Sequence, residues 1–386
     1  MTEIIEYEDK AGFRGWLAYD GRQSPLAAGG CRMRAGLTAA ELSTLAGRMT
    51  LKQRVLGLNV DGAKCGIDLD PGEDGAQAAL GRFLAFLGHE LRHRFSMGPD
   101  MGTKWHELQQ LAVQAGVPSI KYAIKTAQGL SSAEFFVRIG RLEDRVGPLT
   151  LAQRRAGHAL AHAAIGAARA AGVTGQITCA MQGFGNLGQA VACSLAEENV
   201  RLTAVADEHG CVADPGGLDV AGMLRSSLRA TVPQLLTPGL RLAPGELFHR
   251  PADVLILAAC ADAMSEQETA SPPFATVVVG ANCGLSEDAE QALHSRGIPV
   301  IPDFIGGIGG SASMEALFGP PQPPSAAQVL DNLAAMMREL VDDLVYTARR
   351  DGVAPRVAAA ELAAHDSCDP AGAPYGRCRY LTATAR

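Results

Sequence analysis

The stretch CAMQGFGNLGQAVACSL sets Gly183, Gly185 and Gly188 in G-x-G-x-x-G spacing, and little else in the chain restricts its architecture so strongly. The three glycines of such a run serve a tight turn, close approach of backbone to a pyrophosphate, and close packing of helix on strand. The surroundings suit those roles. An apolar strand precedes the run, a helical pattern over 187–198 follows it, and a second strand covers 201–206. This is a βαβ unit, which implies a right-handed crossover and a parallel sheet. The helix opening at Leu187 would turn its unpaired N–H groups toward phosphate oxygens, so Gly183, Gly185, Asn186, Leu187 and Gly188 form a candidate dinucleotide site. Asp207 closes the second strand 19 residues past Gly188. There it can accept hydrogen bonds from ribose hydroxyls and repel a 2′-phosphate, which favours NAD over NADP. The same residues also admit a plainer reading. A glycine turn can serve packing alone, and Asp207-Glu208-His209-Gly210 has the composition of a loop.

Three further buried strands are expected at 254–257, 276–279 and 300–301, which extends a doubly wound domain over about 149–320. An Ala-rich helix from Thr150 to Ala171, ended by Gly172, precedes that domain. Upstream, residues 3–20 alternate like strands, and Leu42, Leu45, Ala46 and Met49 recur at helical steps over 38–57, with Thr38 and Glu41 as a capping box. Further helices are expected at 77–93, around Leu80, Phe83, Leu84 and Leu87, and at 104–115. Beyond a Pro-rich break at 320–325, helices over 326–350 and 354–365 carry an apolar face that includes Leu330, Leu333, Met337 and Leu340. The expected fold class is α/β: a split α/β substrate and dimerisation domain over 1–148, a Rossmann-type dinucleotide domain over 149–320, and C-terminal helices over 326–365 returning to the first domain. Residues 367–386 lack periodicity and are expected to be poorly ordered.

Composition narrows the functional classes. A formal net charge of −7 with no basic stripe speaks against nucleic acid. No run of about 18 apolar residues is present to span a bilayer, and the acidic start MTEIIEYEDK lacks the cationic and apolar parts of a signal peptide. Nine cysteines without a CxxC pair suggest neither a zinc site nor a disulfide framework. No metal is expected, and a reduced, cytoplasmic setting fits best.

Lysine is sparse, yet two lysines fall within GRMTLKQRVLGLNVDGAKCGID as Lys52 and Lys64. Lys64 stands among small residues, where desolvation would let a lysine exchange protons near neutrality; taken alone, a surface lysine in a turn is the readier reading. Asp100, in SMGPDMGTK, is a carboxylate in a Gly-rich loop and could equally be a turn former.

The ordered blocks GGCRM (29–33), MTLK (49–52), GLNVDGAK (57–64), DMGT (100–103), GFGNLG (183–188), DVLILAA (253–259), GAN (280–282) and IPDFIGGIGG (301–310) resemble the glutamate/leucine/phenylalanine/valine dehydrogenase superfamily, over about residues 7–365. The length is closest to its leucine and phenylalanine branch. The resemblance implies NAD-dependent, reversible oxidative deamination of an L-amino acid to a 2-oxo acid and ammonia. It assigns the substrate α-carboxylate to Lys52, water activation to Lys64, proton exchange with the amino nitrogen to Asp100, close substrate approach to Gly29 and Gly30, and cofactor contacts to Ala258, Ala259 and Asn282. It further implies an active-site cleft between the two domains and a homodimer or higher oligomer.

Four departures stand out against the family pattern: Asp61-Gly62-Ala63-Lys64 where a GGGK is usual, Gly307-Ile308-Gly309-Gly310 for NAGG, a displaced threonine before Gly157, and a longer stretch over 119–148. Ala28, Ser311 and Met314 occupy the positions that line the leucine branch's aliphatic pocket. They suggest a substrate bulkier or more polar than leucine; Asp61, if it faced the substrate, would meet a polar or cationic group. Glutamate is not expected, because no extra cation is apparent for its second carboxylate. A reductase of a modified amino acid or imine, and a non-catalytic dinucleotide-binding relative, remain the alternatives.

Overall fold

The computed structural model describes residues 2–227, 230–364 and 368–381, which divide into two compact units. The first comprises Met1–Arg138 with Leu362–Arg379, and the second Ile139–Glu361 with Tyr380–Arg386.

Five strands make the sheet of the first unit: β1 (Thr2–Glu8), β2 (Arg14–Asp20), β3 (Leu26–Met33), β4 (Val60–Ile67) and β5 (Phe95–Pro99), in the order β1-β2-β4-β3-β5. β1, β2 and β4 run antiparallel in succession, whereas β3 is parallel to both β4 and β5. Alternation along each strand sends two sets of side chains to opposite faces. Leu17, Tyr19, Ala27, Met33, Ala63 and Ile67 go to a core filled by Leu80, Phe83 and Leu84 of the helix Ala76–Phe86 and by Leu108 of the helix Trp105–Gln114. Trp16 and Ala18 go to the other face, where Leu42 and Ala46 of the helix Ala39–Val55 cover them. Thr38 caps that helix by accepting from the Glu41 amide, but the Glu41 carboxylate does not complete a capping box. It pairs with Arg32 and Arg34. The pattern expected as one helix over 77–93 is two, Ala76–Phe86 and Gly88–His93.

A short hairpin, β6 (Arg145–Val146) and β7 (Leu149–Thr150), leads into the helix Leu151–Ala170 of the second unit. Thr150 caps this helix in a full capping box with Gln153, so the displaced threonine does start it. Gly157 is needed where a Cβ would come within 2.5 Å of the Ala190 Cβ. The second sheet contains β8 (Thr178–Gln182), β9 (Arg201–Asp207), β10 (Gly210–Ala213), β11 (Leu240–Leu242), β12 (Ala252–Leu257), β13 (Phe274–Val279) and β14 (Val300–Ile301), ordered β11-β10-β9-β8-β12-β13-β14. Five of these strands are parallel; β10 and β11 extend one edge as an antiparallel pair that the sequence pattern does not announce.

Two expectations for the C-terminal region are corrected. The helix Ala326–Asp351 belongs to the second unit, where Val341 packs on Gly166 and the Leu330 carbonyl meets His158; only the end of the following helix, from Leu362, joins the first. The tail is not loose where it is described. Asn59 donates to the carbonyls of Asp369 and Gly372 at 2.6 and 2.9 Å, Gln128 exchanges two bonds with the backbone of Tyr375, and Tyr375 and Cys378 are buried. Side-chain amides bonded to irregular backbone leave no periodic signal, which is why composition points the other way. Residues 365–367 and 382–386 lie outside the described residues.

Candidate active site

Strand register gathers the candidate residues of the first unit on one face of its sheet. Gly62 pairs with Ala28 and with Asp20, Lys64 with Ala18, and Gly98 with Gly30, so Ala28, Gly30, Arg32, Lys64 and Gly98 share the face of Trp16 and Ala18. Asp100 follows β5 in a turn built for it. Gly102 has φ of +76°, and a Cβ there would sit 2.1 Å from the Met33 carbonyl; Thr103 accepts from the Asp100 amide and donates to the Cys31 carbonyl.

The Lys64 ammonium meets the Asp100 carboxylate at 2.7 Å, and the Arg32 guanidinium meets the same oxygen at 2.9 Å. Arg32 extends to Glu41 at 2.8 Å. All of this lies at or below the surface, with the Lys64 side chain only 6% and that of Asp100 15% exposed. Burial by itself would raise the Asp100 carboxyl, but the charges of Lys64 and Arg32 outweigh it and hold the group below its usual range. Asp100 is therefore a carboxylate, clamped between two cations. Arg32 is the member of this cluster with no role assigned from sequence; only strand register shows that it reaches the acid.

The glycine pair is explained by its neighbours. A Cβ on Gly29 would lie 1.6 Å from the Ala63 carbonyl oxygen, and one on Gly30 would lie 3.1 Å from the Lys64 ammonium. Lys52 is buried in the last turn of the helix Ala39–Val55. Asp61 does not face this cluster. Its carboxylate accepts from Arg54 at 2.8 Å and from the amides of Gln23 and Ser24 at 2.9 and 3.0 Å, with 1% of the residue exposed. Its charge is thus taken up in a buried structural network, and the expected meeting with a cationic group is set aside. The Ala63 methyl points into the core, while the close approach expected of that segment occurs at Gly62, where a Cβ would stand 2.1 Å from the Ala46 carbonyl.

In the second unit, the candidates collect at the carboxyl ends of parallel strands. β8 lies between β9 and β12, so the order reverses there, and open α/β sheets bind ligands at such a switch point. Gly183, after β8, has φ of +94°. A Cβ on Gly188 would be 2.1 Å from the Gly183 carbonyl, whereas one on Gly185 would meet nothing within 4 Å. Two glycines thus shape the turn and the third leaves it open. The helix Asn186–Glu197 starts there, one residue earlier than expected, and no side chain caps it. An open glycine turn ahead of uncapped N–H groups fits a pyrophosphate. Ala258, whose amide donates to the Gln182 carbonyl at 2.9 Å, brings Ala259 beside Gly183. Asn282 is exposed in the turn after β13, where the next amide, Cys283, donates to Asp303. The Asp207 carboxylate accepts from the amides of His209, Gly210 and Val232 at 2.8, 3.0 and 2.6 Å. Its turn role is therefore real, and it still presents a negative charge at the end of β9. Ser311 and Met314 are buried in the helix Gly309–Phe318 of this unit, whereas Ala28 lies on β3 of the first.

The sequence profile described as Glutamate/Leucine/Phenylalanine/Valine dehydrogenase matches residues 152–369, and that of the Glu/Leu/Phe/Val dehydrogenase dimerisation domain matches 4–115. The chain belongs to this family. A glutamate dehydrogenase of Aeropyrum pernix is 25% identical over 300 residues, covering 77% of this chain and 70% of its own length. The NADP-specific glutamate dehydrogenase A1 of Halobacterium salinarum is 28% identical over 293 residues, 73% of this chain and 66% of that one. Among solved structures, the hetero-hexameric glutamate dehydrogenase of Thermus thermophilus in a Leu-bound form superposes with a TM-score of 0.74 at 26% identity, covering 94% of this chain and 86% of the other. These relatives are named for glutamate, and none singles out the leucine and phenylalanine branch. Among the described residues no helix is long and apolar enough to cross a membrane.

Proposed function

We propose that this chain is an NAD-dependent dehydrogenase that reversibly deaminates an L-amino acid to its 2-oxo acid, releasing ammonia. The observation that carries the reading is the Lys64–Asp100–Arg32 cluster beside a glycine pair that has no side chains of its own. An amino acid enters as an ammonium and must lose a proton before its Cα–H bond can break heterolytically. Asp100, kept ionised by two cations, is the acceptor for that proton. Lys64 then serves the hydration of the imine, orienting water and balancing negative charge on the oxygen that forms. Lys52 holds the α-carboxylate, and Gly29 and Gly30 let the substrate backbone lie against the strand. The dinucleotide supplies the hydride acceptor. Gly183, Gly185, Asn186, Leu187 and Gly188 hold its pyrophosphate, with Ala258, Ala259 and Asn282 nearby.

NAD is favoured over NADP because Asp207 puts a carboxylate where a 2′-phosphate would stand, although its oxygens also serve the turn. The first unit is the proposed contact in a homodimer or larger oligomer. The Ala28 methyl in place of a larger aliphatic group, with the Ser311 hydroxyl and Met314, suits a side chain bulkier or more polar than leucine. The test is NAD(P)H formation from a panel of L-amino acids with each cofactor. Turnover with at least one amino acid, and a higher kcat/KM for NAD, is expected. No turnover with any would leave a non-catalytic dinucleotide binder, and a tenfold preference for NADP would overturn the cofactor assignment.

A further inference from the structure

Asn282, the candidate cofactor contact in the turn after β13, is followed by a residue whose backbone needs holding. Cys283 has φ of +55°, one of three non-glycine residues with positive φ among the described residues. A side chain is strained there, and such backbone persists only where its surroundings fix it. Two bonds do so. The Cys283 amide donates to the Asp303 carboxylate at 3.0 Å, and its carbonyl accepts from the Asp262 amide at 3.0 Å. Asp262 is left-handed too, at φ of +47°, and follows β12 in the loop that carries Ala258 and Ala259. A bond from the Ala263 amide to the Gly284 carbonyl at 2.9 Å joins the same two loops again.

Sheet register brings Asp303 to this turn. β13 and β14 are parallel, with Val278 beside Ile301, so the residues after both strands meet at one edge. Asp303 opens the short helix Asp303–Gly306 and is 3% exposed. One of its oxygens takes the Cys283 amide, and the other accepts from Arg356 at 3.0 Å. Arg356 is itself fixed. Its guanidinium donates to both oxygens of Glu290 at 2.7 Å and lies 5.3 Å from the centre of the Phe304 ring. A fork of this kind sets direction as well as attraction, so the Asp303 carboxylate is aimed at the strained turn by a cation that cannot drift.

The place of the turn in the sheet says which part of a dinucleotide it serves. A doubly wound domain binds the two halves of the cofactor on either side of the switch point. Asp207, at the end of β9, stands on the adenosine side of β8, whereas β12 and β13 lie on the other. Building on the dinucleotide site proposed above, we infer that Asp303, fixed by Arg356, is a positioning residue for the nicotinamide half of the cofactor. It holds Cys283 left-handed and thereby presents Asn282 to the crevice. Neither Asp303 nor Arg356 needs to touch the cofactor for this.

The experiment compares NADH with ADP, which fills only the adenosine half. Both are titrated into wild type, Asp303→Ala, Arg356→Met, Arg356→Lys and Leu344→Ala, with melting temperature recorded for each. Leu344→Ala truncates the core of the helix Ala326–Asp351 and controls for lost stability alone. Asp303→Ala should weaken NADH by about tenfold or more and leave ADP within about twofold. Arg356→Met should weaken NADH by about 3- to 10-fold, with Arg356→Lys recovering most of it, and this variant decides by the same comparison if Asp303→Ala does not fold. Leu344→Ala should melt lower yet bind both ligands as wild type does. Adding Cys283→Gly to Asp303→Ala should regain about threefold or more in NADH affinity, because glycine takes the left-handed conformation without help. NADH affinity unchanged in Asp303→Ala, ADP weakened as much as NADH, or no recovery with Cys283→Gly overturns the inference. Because these titrations need no amino acid, an absence of turnover with every substrate would remove the deamination reading and leave this one standing; a wild type that binds no NADH overturns both.

Discussion

The charged cluster on the sheet face of the first unit and the glycine turn at a strand end of the second are held together by different means. The first consists of charged side chains locked to one another, Lys64 to Asp100 to Arg32 to Glu41 to Arg34. The second is made by backbone and by absent side chains, with Gly183 and Gly188 closing the turn and Gly185 leaving it open. A charge network holds its geometry only while every member is paired, because an uncompensated buried charge is costly. A glycine turn tolerates changes around it but not a methyl at the point of closest approach. Glycine itself therefore does two jobs here, and substitution to alanine distinguishes them.

The largest effect is expected at Gly29. With its Cβ 1.6 Å from a backbone carbonyl of the neighbouring strand, Gly29→Ala cannot be accommodated without parting β3 from β4; it should yield little folded protein on expression and gel filtration. A soluble Gly29→Ala protein with wild-type melting would contradict the tight strand approach. Next comes Asp61. Removing its carboxylate strands the buried Arg54 and two amides, so Asp61→Ala should cost about 3–5 kcal/mol in urea denaturation. A loss below about 1 kcal/mol would return Asp61 to the substrate as a candidate.

A pH effect of intermediate size is expected inside the second unit. Burial, helped by the Arg154 charge, lowers His158 from 6.5 to about 4; burial and the charge of His158 lower His162 to about 3. His158 is bonded to Ser194 and the Leu330 carbonyl, whereas neither ring nitrogen of His162 has a hydrogen-bond partner. Both are bases with folded values below their unfolded ones, so the unfolded chain binds more protons in between. Stability is fully present above about pH 6.5 and is lost as pH falls toward 4 and then 3. Melting temperature against pH should show this decline, and His162→Leu should flatten it; an unchanged slope would mean that His162 binds protons equally in the folded and unfolded states. The smallest effect on folding belongs to Gly185→Ala, whose methyl meets nothing within 4 Å. Its melting should match wild type while NADH affinity falls by about tenfold, since the methyl takes up the space a pyrophosphate needs.

The same contrast explains what is legible in the sequence. Gly183, Gly185 and Gly188 can be read because each job demands glycine at a fixed spacing. The parallel strands are legible as apolar runs, and Lys64 and Asp100 only through the resemblance of the ordered motif blocks. Arg32 is not, because nothing local marks it. It reaches Asp100 through the register of β3 on β5. Asp61 misleads for a related reason: its partners Arg54, Gln23 and Ser24 come from separate segments. The tail over 368–381 escapes notice because Asn59 and Gln128 hold it by side-chain hydrogen bonds to its backbone rather than by a repeating pattern.

The central claim is that the chemistry belongs to the Lys64–Asp100 pair of the first unit, and the dinucleotide to the second. Steady-state deamination by Lys64→Ala, on the best substrate of the wild type, tests it most directly when NADH binding is followed in parallel by fluorescence. The expected result is a fall in kcat of about a thousandfold or more, if proton exchange and charge stabilisation are lost together, with NADH affinity unchanged. A Lys64→Ala protein that turns over within tenfold of wild type, or one that loses NADH binding along with activity, would contradict it.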